Sequence, residues 1–167
     1  MGICTEELRT FVVRPTLQQL GEWSQAAENL LLGTAAQESG LGFHLQEKGR
    51  SGLGIYQISP AQHISVWDTY LVTDPDLASE VRGLASQHEF LANPHKELAT
   101  NLSYATAIAW MLYRRANKPL PNEDDIFAMA VLWVHCFRYP APASVEEFTE
   151  NYRKFVNAPE NSSGIAA

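Results

Sequence analysis

Glu38 ends an apolar segment, Leu30-Leu-Leu-Gly-Thr-Ala-Ala-Gln-Glu-Ser39, and a glycine-rich stretch follows at once. If residues 24–38 form a helix, this carboxyl sits where a packed element opens onto a cleft-like region. Burial there disfavours the charged form, so Glu38 is a candidate general acid with a raised pKa. Glycosidic bond cleavage needs such a protonated carboxyl beside the leaving oxygen. Ser39 is placed to orient the acid or a substrate group. A surface glutamate ending a helix is the plainer alternative for the same pattern.

Three further groups join Glu38 as candidates. In Gly52-Leu-Gly-Ile-Tyr-Gln-Ile-Ser-Pro60, Tyr56 and Gln57 can face a cleft floor, the phenol against a sugar face and the amide toward an N-acetyl group or the acid. An ordinary extended segment and turn, with Ile55 and Ile58 in packing roles, fits the same residues. Glu47 lies nine residues after Glu38 across the glycine-rich turn, and is the nearby carboxylate that could serve as a second, base-like group. A solvated loop charge is its alternative. The five histidines, at 44, 63, 88, 95 and 135, lack zinc-site spacing, and His135 and Cys136 are adjacent, so they point different ways on a helix. No phosphate-binding loop, dinucleotide fingerprint or nucleophile elbow is present. Trp67 is the tryptophan best placed for sugar contact, whereas Trp110 and Trp133 read as core.

The elements that must position these groups are mostly helical. Residues 5–13 and Pro15–Leu20 suggest short helices, and Ser24 caps a helix with Ala27, Leu30, Leu31 and Ala35 on one side. Gly33 either weakens that helix or permits close packing against it. Glycines 40, 42, 49, 52 and 54 predict a small β-rich or looped lobe, with residues 55–58 extended. Helices are then predicted over 75–91, from Asn93-Pro94 to Arg115, from an Asn122 cap through Phe137, and from Ser144 with Phe148, Tyr152 and Phe155 inward. The fold class is therefore α+β, predominantly helical, with a small Gly-rich β or loop lobe. Residues 1–156 are read as a single domain and 157–167 as a flexible C-terminal tail.

Composition narrows the partners. A chain of 167 residues, 46% apolar, supports one substantial core. Twelve basic against 19 acidic residues give a formal charge of −7 without a basic stripe, which argues against nucleic acid as the main ligand. Two isolated cysteines, Cys4 and Cys136, define no disulfide framework. The start lacks a recognisable secretory signal, and no apolar run approaches the roughly 18 to 20 residues of a membrane span.

Taken in order, Glu38-Ser39, Gly52 to Pro60 and Asn101-Leu102 resemble the lysozyme-like superfamily, most closely its lytic transglycosylase and phage muralytic branch. Glu38-Ser39 matches that family's Glu-Ser, Gly52 to Pro60 its Gly-Leu-x-Gln-Ile-x-Pro segment, and Asn101-Leu102 its Asn-(Ile/Leu) helix start, over roughly residues 24–156. The glycine segment is longer than the family's, which leaves Leu53 and Gly54 ambiguous and Tyr56-Gln57-Ile58 more secure. Where the family has a Tyr-Asn pair the chain reads Trp133-Val-His-Cys-Phe-Arg-Tyr139; either Phe137-Arg138 takes that place without the hydroxyl, or Tyr139 supplies it from a shifted position.

The resemblance implies a lysozyme-like domain that cleaves the β-1,4 bond between N-acetylmuramic acid and N-acetylglucosamine. It makes Glu38 the acid/base and gives Ser39, Tyr56, Gln57, Asn101 and Tyr139 positioning roles. No cofactor or metal is implied. The implied partners are peptidoglycan glycan strands, with a separate membrane-permeabilising protein or phage virion proteins, and the implied location is the host bacterial cytoplasm before lysis or the virion. Two alternatives stay open: an inverting hydrolase using Glu47, and a non-catalytic, wall-binding virion protein.

Overall fold

A computed structural model of the chain describes residues 2–138 and 143–157. The chain is predominantly helical. Helix α1 (Thr5–Leu8) runs through a π turn, Arg9–Val13, into α2 (Arg14–Gln19), so the two short helices expected here are one continuous helical run. Pro15, which has no backbone N–H to donate, falls just after the π segment, where the regular i→i−4 bonding is already broken. Ser24 caps α3 (Gln25–Ser39), its Oγ accepting the Ala27 N–H at 3.1 Å.

After the glycine-rich loop comes α4 (Pro60–Ser65), which leads into a second π turn, Val66–Tyr70. Its start is a reciprocal cap: Ser59 accepts from the Gln62 N–H, and Gln62 accepts from the Ser59 N–H. Ser59-Pro60-x-Gln62 carries that signal in the sequence, although the helix it starts is not among those expected from apolar spacing. The helix expected over 75–91 is two, α5 (Pro75–Leu84) and α6 (Gln87–Ala92), because Ser86 caps a new start. Likewise α7 (Glu97–Thr100) and α8 (Leu102–Arg114) are divided at Asn101, whose side chain accepts the Tyr104 N–H. Asp125, rather than Asn122, caps α9 (Ile126–Trp133), which continues into a π turn, Val134–Arg138. Ser144 caps α10 (Val145–Phe155) by accepting the Glu147 N–H at 3.1 Å.

Buried side chains form one core around α3 and α8. Helix α3 packs against α8, α9 and α10. Gly33 sits at the α3–α10 crossing, where a Cβ would come within 2.7 Å of both Phe148 Cζ and Tyr152 Cδ2. Close packing is thus the use of this glycine.

The predicted β component is not found among the described residues. The glycine-rich region is a loop with one antiparallel bridge, in which Leu53 and Ile58 exchange backbone hydrogen bonds of 3.0 and 3.1 Å. Six residues with left-handed φ in and beside it, Gly40, Leu41, Gly42, Gly49, Gly54 and Gln57, turn the chain too often for a ladder to extend. At Gly54 (φ 73°) a Cβ would fall 1.6 Å from the Leu98 carbonyl oxygen, so the loop is seated directly on the α7 backbone. No helix of the described residues is long and apolar enough to cross a membrane. Of the tail expected over 157–167, all but Asn157 lies outside the described residues.

Candidate active site

The end of α3 and the glycine loop are joined by Ser39. Its hydroxyl donates to the Ile55 carbonyl at 2.6 Å and accepts the Gly42 N–H at 2.7 Å, while Gly40 (φ 58°) turns the chain out of the helix. Ser39 is buried and anchors the loop beside Glu38. Gln57 adopts a left-handed φ of 46° and donates its amide N–H to the Gly54 carbonyl at 2.8 Å. That bond leaves Gln57 Oε1 buried without a hydrogen-bond partner among the described residues. An unsatisfied buried acceptor costs about 1–3 kcal/mol.

Glu38 lies on the wall of a cleft of about 660 Å³, which Glu47, Arg50, Gln57, Gln62, Phe137 and Glu147 also line. Beyond Glu38 a second hollow of about 480 Å³ is lined by Phe43, His44, Asn151, Lys154 and Phe155. Gln37, Glu38 and Glu47 border both, so the carboxyl stands between two halves of a groove. A hollow of about 790 Å³ lies elsewhere, between Ser24–Ala26 and Pro121–Asp125. It is walled by exposed and half-buried residues and holds no buried titratable side chain, so it is a surface concavity.

Both oxygens of Glu38 are engaged. Oε1 accepts the Trp133 indole N–H at 2.8 Å and the Arg138 Nε–H at 3.1 Å, and Oε2 accepts from Arg138 Nη2. Trp133 and Arg138 are five residues apart, and in a regular α-helix they would point about 140° away from each other. The π turn Val134–Arg138, with its i→i+5 bonding, brings both to one carboxylate. Burial pushes the Glu38 pKa up to about 7, against the opposing pull of Arg138, Trp133 and Arg50. A carboxyl so placed exchanges its proton near neutral pH, as a general acid/base requires.

The interior holds a second carboxylate with the opposite outcome. Glu28, fully buried, accepts from Arg9 at 2.5 Å, Arg14 at 2.8 Å and the Trp23 indole at 2.8 Å. Burial acts to raise its pKa, but the hydrogen bonds from Arg14, Trp23 and Arg9 prevail and hold it at about 2. Two buried carboxylates on one helix are therefore pushed apart by their partners. Glu28 clasps the N-terminal helices to α3; Glu38 lines the cleft.

The sequence candidates divide accordingly. Glu38, Glu47 and Gln57 line the cleft, and Ser39 borders the second hollow. Glu47 is ion-paired with Arg50 at 2.9 Å. Tyr56 is not on the cleft floor: its ring is fully buried and its hydroxyl bonds to Thr106 at 3.0 Å, because Gln57 and Tyr56 leave a tight turn in opposite directions. Asn101 also lies away from the cleft, where it caps α8 and donates to the Leu84 carbonyl and Glu97. Tyr139 is outside the described residues. Phe137 lines the cleft without a hydroxyl, its ring 5.0 Å from that of Tyr113. Trp133 and Arg138 are the site residues that sequence reasoning missed as partners of Glu38. They lie 95 and 100 positions away along the chain, and local pattern does not announce such a meeting.

Compared with protein-family models, with curated proteins and with solved structures, the chain matches none. Among the described residues no three His, Cys, Asp or Glu side chains are grouped as a metal site would need.

Proposed function

We propose that the protein is a lysozyme-like, peptidoglycan-cleaving muramidase, acting on the MurNAc-β-1,4-GlcNAc bond through Glu38 as a single general acid/base. The observation that carries this reading is the position of Glu38: buried, with its pKa raised to about 7, at the shared border of two adjoining hollows. A polymer lying along both passes its linkage across the carboxyl.

In the cleavage step the protonated Glu38 gives its proton to the glycosidic oxygen as the C1–O bond breaks, which leaves an oxocarbenium-like centre and an ionised Glu38. The muramyl C6 hydroxyl then attacks C1, Glu38 takes the hydroxyl proton, and a 1,6-anhydro ring closes with the acid regenerated. This lytic route needs one carboxyl. Hydrolysis would instead use Glu47 to activate a water, and the presence of Glu47 on the same cleft favours that route as second reading. Gln57 Oε1, buried and unpaired at the cleft, supplies an acceptor for a sugar N–H or O–H.

A non-catalytic wall-binding role is the rival from another class, favoured by the engagement of both Glu38 oxygens. The muralytic reading places the protein in host cytoplasm before lysis, as an endolysin beside a membrane-permeabilising partner, or in a phage virion. Glu38→Gln should leave the fold intact and abolish muropeptide release from purified sacculi; undiminished release would sink the assignment. Mass spectrometry of the products separates the routes: anhydromuramyl ends for transglycosylation, reducing muramyl ends for hydrolysis. Wild-type protein that binds sacculi yet releases nothing is the result expected of the wall-binding role.

A further inference from the structure

Arg138 grips Glu38 through two nitrogens, Nε on Oε1 and Nη2 on Oε2, while the Trp133 indole adds a third donor. Three donors thus cover the carboxyl, two on Oε1 and one on Oε2, and stand where a leaving group would have to approach. Glu38 is almost wholly buried, whereas the Arg138 side chain is 31% exposed, so of the two partners the arginine is the one with room to move. It stands at the last residue of a π turn, at the lip of the cleft. Across that cleft, Glu147 in the first turn of α10 is exposed and has no ion pair among the described residues, whereas Glu47 is already held by Arg50.

From these contacts we propose that Arg138 is a positioning residue that covers Glu38 while the cleft is empty and is displaced toward the Glu147 rim when a glycan enters. The inference rests on the muralytic reading and adds how its site is regulated. Its consequence is electrostatic. The guanidinium opposes the upward push of burial on the Glu38 pKa; with the guanidinium gone, burial acts with less opposition and the carboxyl holds its proton more tightly. Glycan binding would thus arm the acid at the moment it is needed. The other charged or titratable groups around Glu38 are Arg50 and Glu47 on the loop, His44 on the wall of the second hollow, and Lys154 and Glu147 on α10. The buried Tyr113 hydroxyl is also close enough to feel its charge.

The test is a side-chain carbon NMR titration of Glu38 in wild type, Arg138→Ala and Arg138→Lys, each with and without chitotetraose. In the free protein Arg138→Ala should raise the Glu38 pKa by a unit or more, a tenfold change in its proton affinity, and Arg138→Lys by less. Chitotetraose should then raise the pKa in wild type by clearly more than in Arg138→Ala, where no arginine remains to leave. Equal ligand-induced shifts in the two proteins, or a free-state pKa unmoved by Arg138→Ala, would overturn the displacement while leaving the muralytic reading standing. Failure of chitotetraose to bind wild type would remove the carbohydrate reading and the displacement together. Arg138→Lys keeps the cation, so it reports on the contact even if the alanine variant is destabilised.

Discussion

Burial and hydrogen bonding pull on Glu38 in opposite directions, and burial wins. The price is folding free energy. Below pH 4.5 the carboxyl is protonated in both the folded and unfolded chain and costs nothing. As pH rises from 4.5 to about 7 the unfolded chain releases its proton first, so stability falls across that window. Glu38→Gln removes this loss. The variant should match wild type near pH 4 and exceed it at pH 8 by at most ~3 kcal/mol, read from urea unfolding at the two pH values. A constant difference at both pH values would mean that the carboxyl titrates normally. Replacing Trp133 with Phe removes one donor from Oε1 and should move the Glu38 titration upward, in the same direction as loss of Arg138.

Helix α3 connects the two buried carboxylates to the core, and its crossing with α10 depends on Gly33. Gly33→Ala places a methyl against Phe148 and Tyr152, rings that are themselves buried in the core. Better helix propensity would favour the alanine by about 1 kcal/mol. Overpacking of this kind costs about 1–3 kcal/mol, so the net expectation is destabilisation. A raised melting temperature for Gly33→Ala would show that α10 can shift aside. Cap chemistry marked the starts of α3 and α10 in the sequence, because Ser24 and Ser144 act on N–H groups three residues away. The breaks at Ser86 and Asn101 escaped the pattern, since apolar spacing carries on across them. At Asn101 the side-chain amide is held by the Leu84 carbonyl on α5 as well as by Glu97, four residues earlier.

At the scale of the molecule, two internal polar clusters make folding depend on pH in the acid range. Glu28 stabilises the fold in its ionised state; that contribution is complete above pH 4.5 and is lost as pH falls toward 2. His63, buried between Tyr104 at 2.7 Å and His95 at 2.9 Å, has its pKa lowered by burial and by His95 to about 4. Its neutral form is complete in the fold above pH 6.5, and stability drains as pH falls from 6.5 to 4. Glu28→Gln leaves Arg9 and Arg14 without their shared anion and should cost about 3–5 kcal/mol at pH 7. The same variant should lose less of its remaining stability than wild type between pH 4.5 and pH 2. Parallel acid-unfolding curves for the two proteins would count against Glu28 as the source of the steep limb.

Residue type and short-range spacing were enough to place Glu38 at a helix end beside a glycine-rich loop, to set most helices and to make Gln57 a cleft candidate. All of these rest on contacts within a few residues, where side-chain chemistry and helix period act directly. Gly33 was ambiguous until α10 lay across it. Tyr56 and Gln57, adjacent in the chain, part because the Tyr56 hydroxyl is held in the core by Thr106 while the Gln57 amide bonds the Gly54 carbonyl at the cleft. Trp133 and Arg138 became partners of Glu38 through a π turn and a meeting of segments about a hundred residues apart. Such meetings are set by how whole helices pack, and that packing depends on the summed burial of many side chains rather than on any local signal.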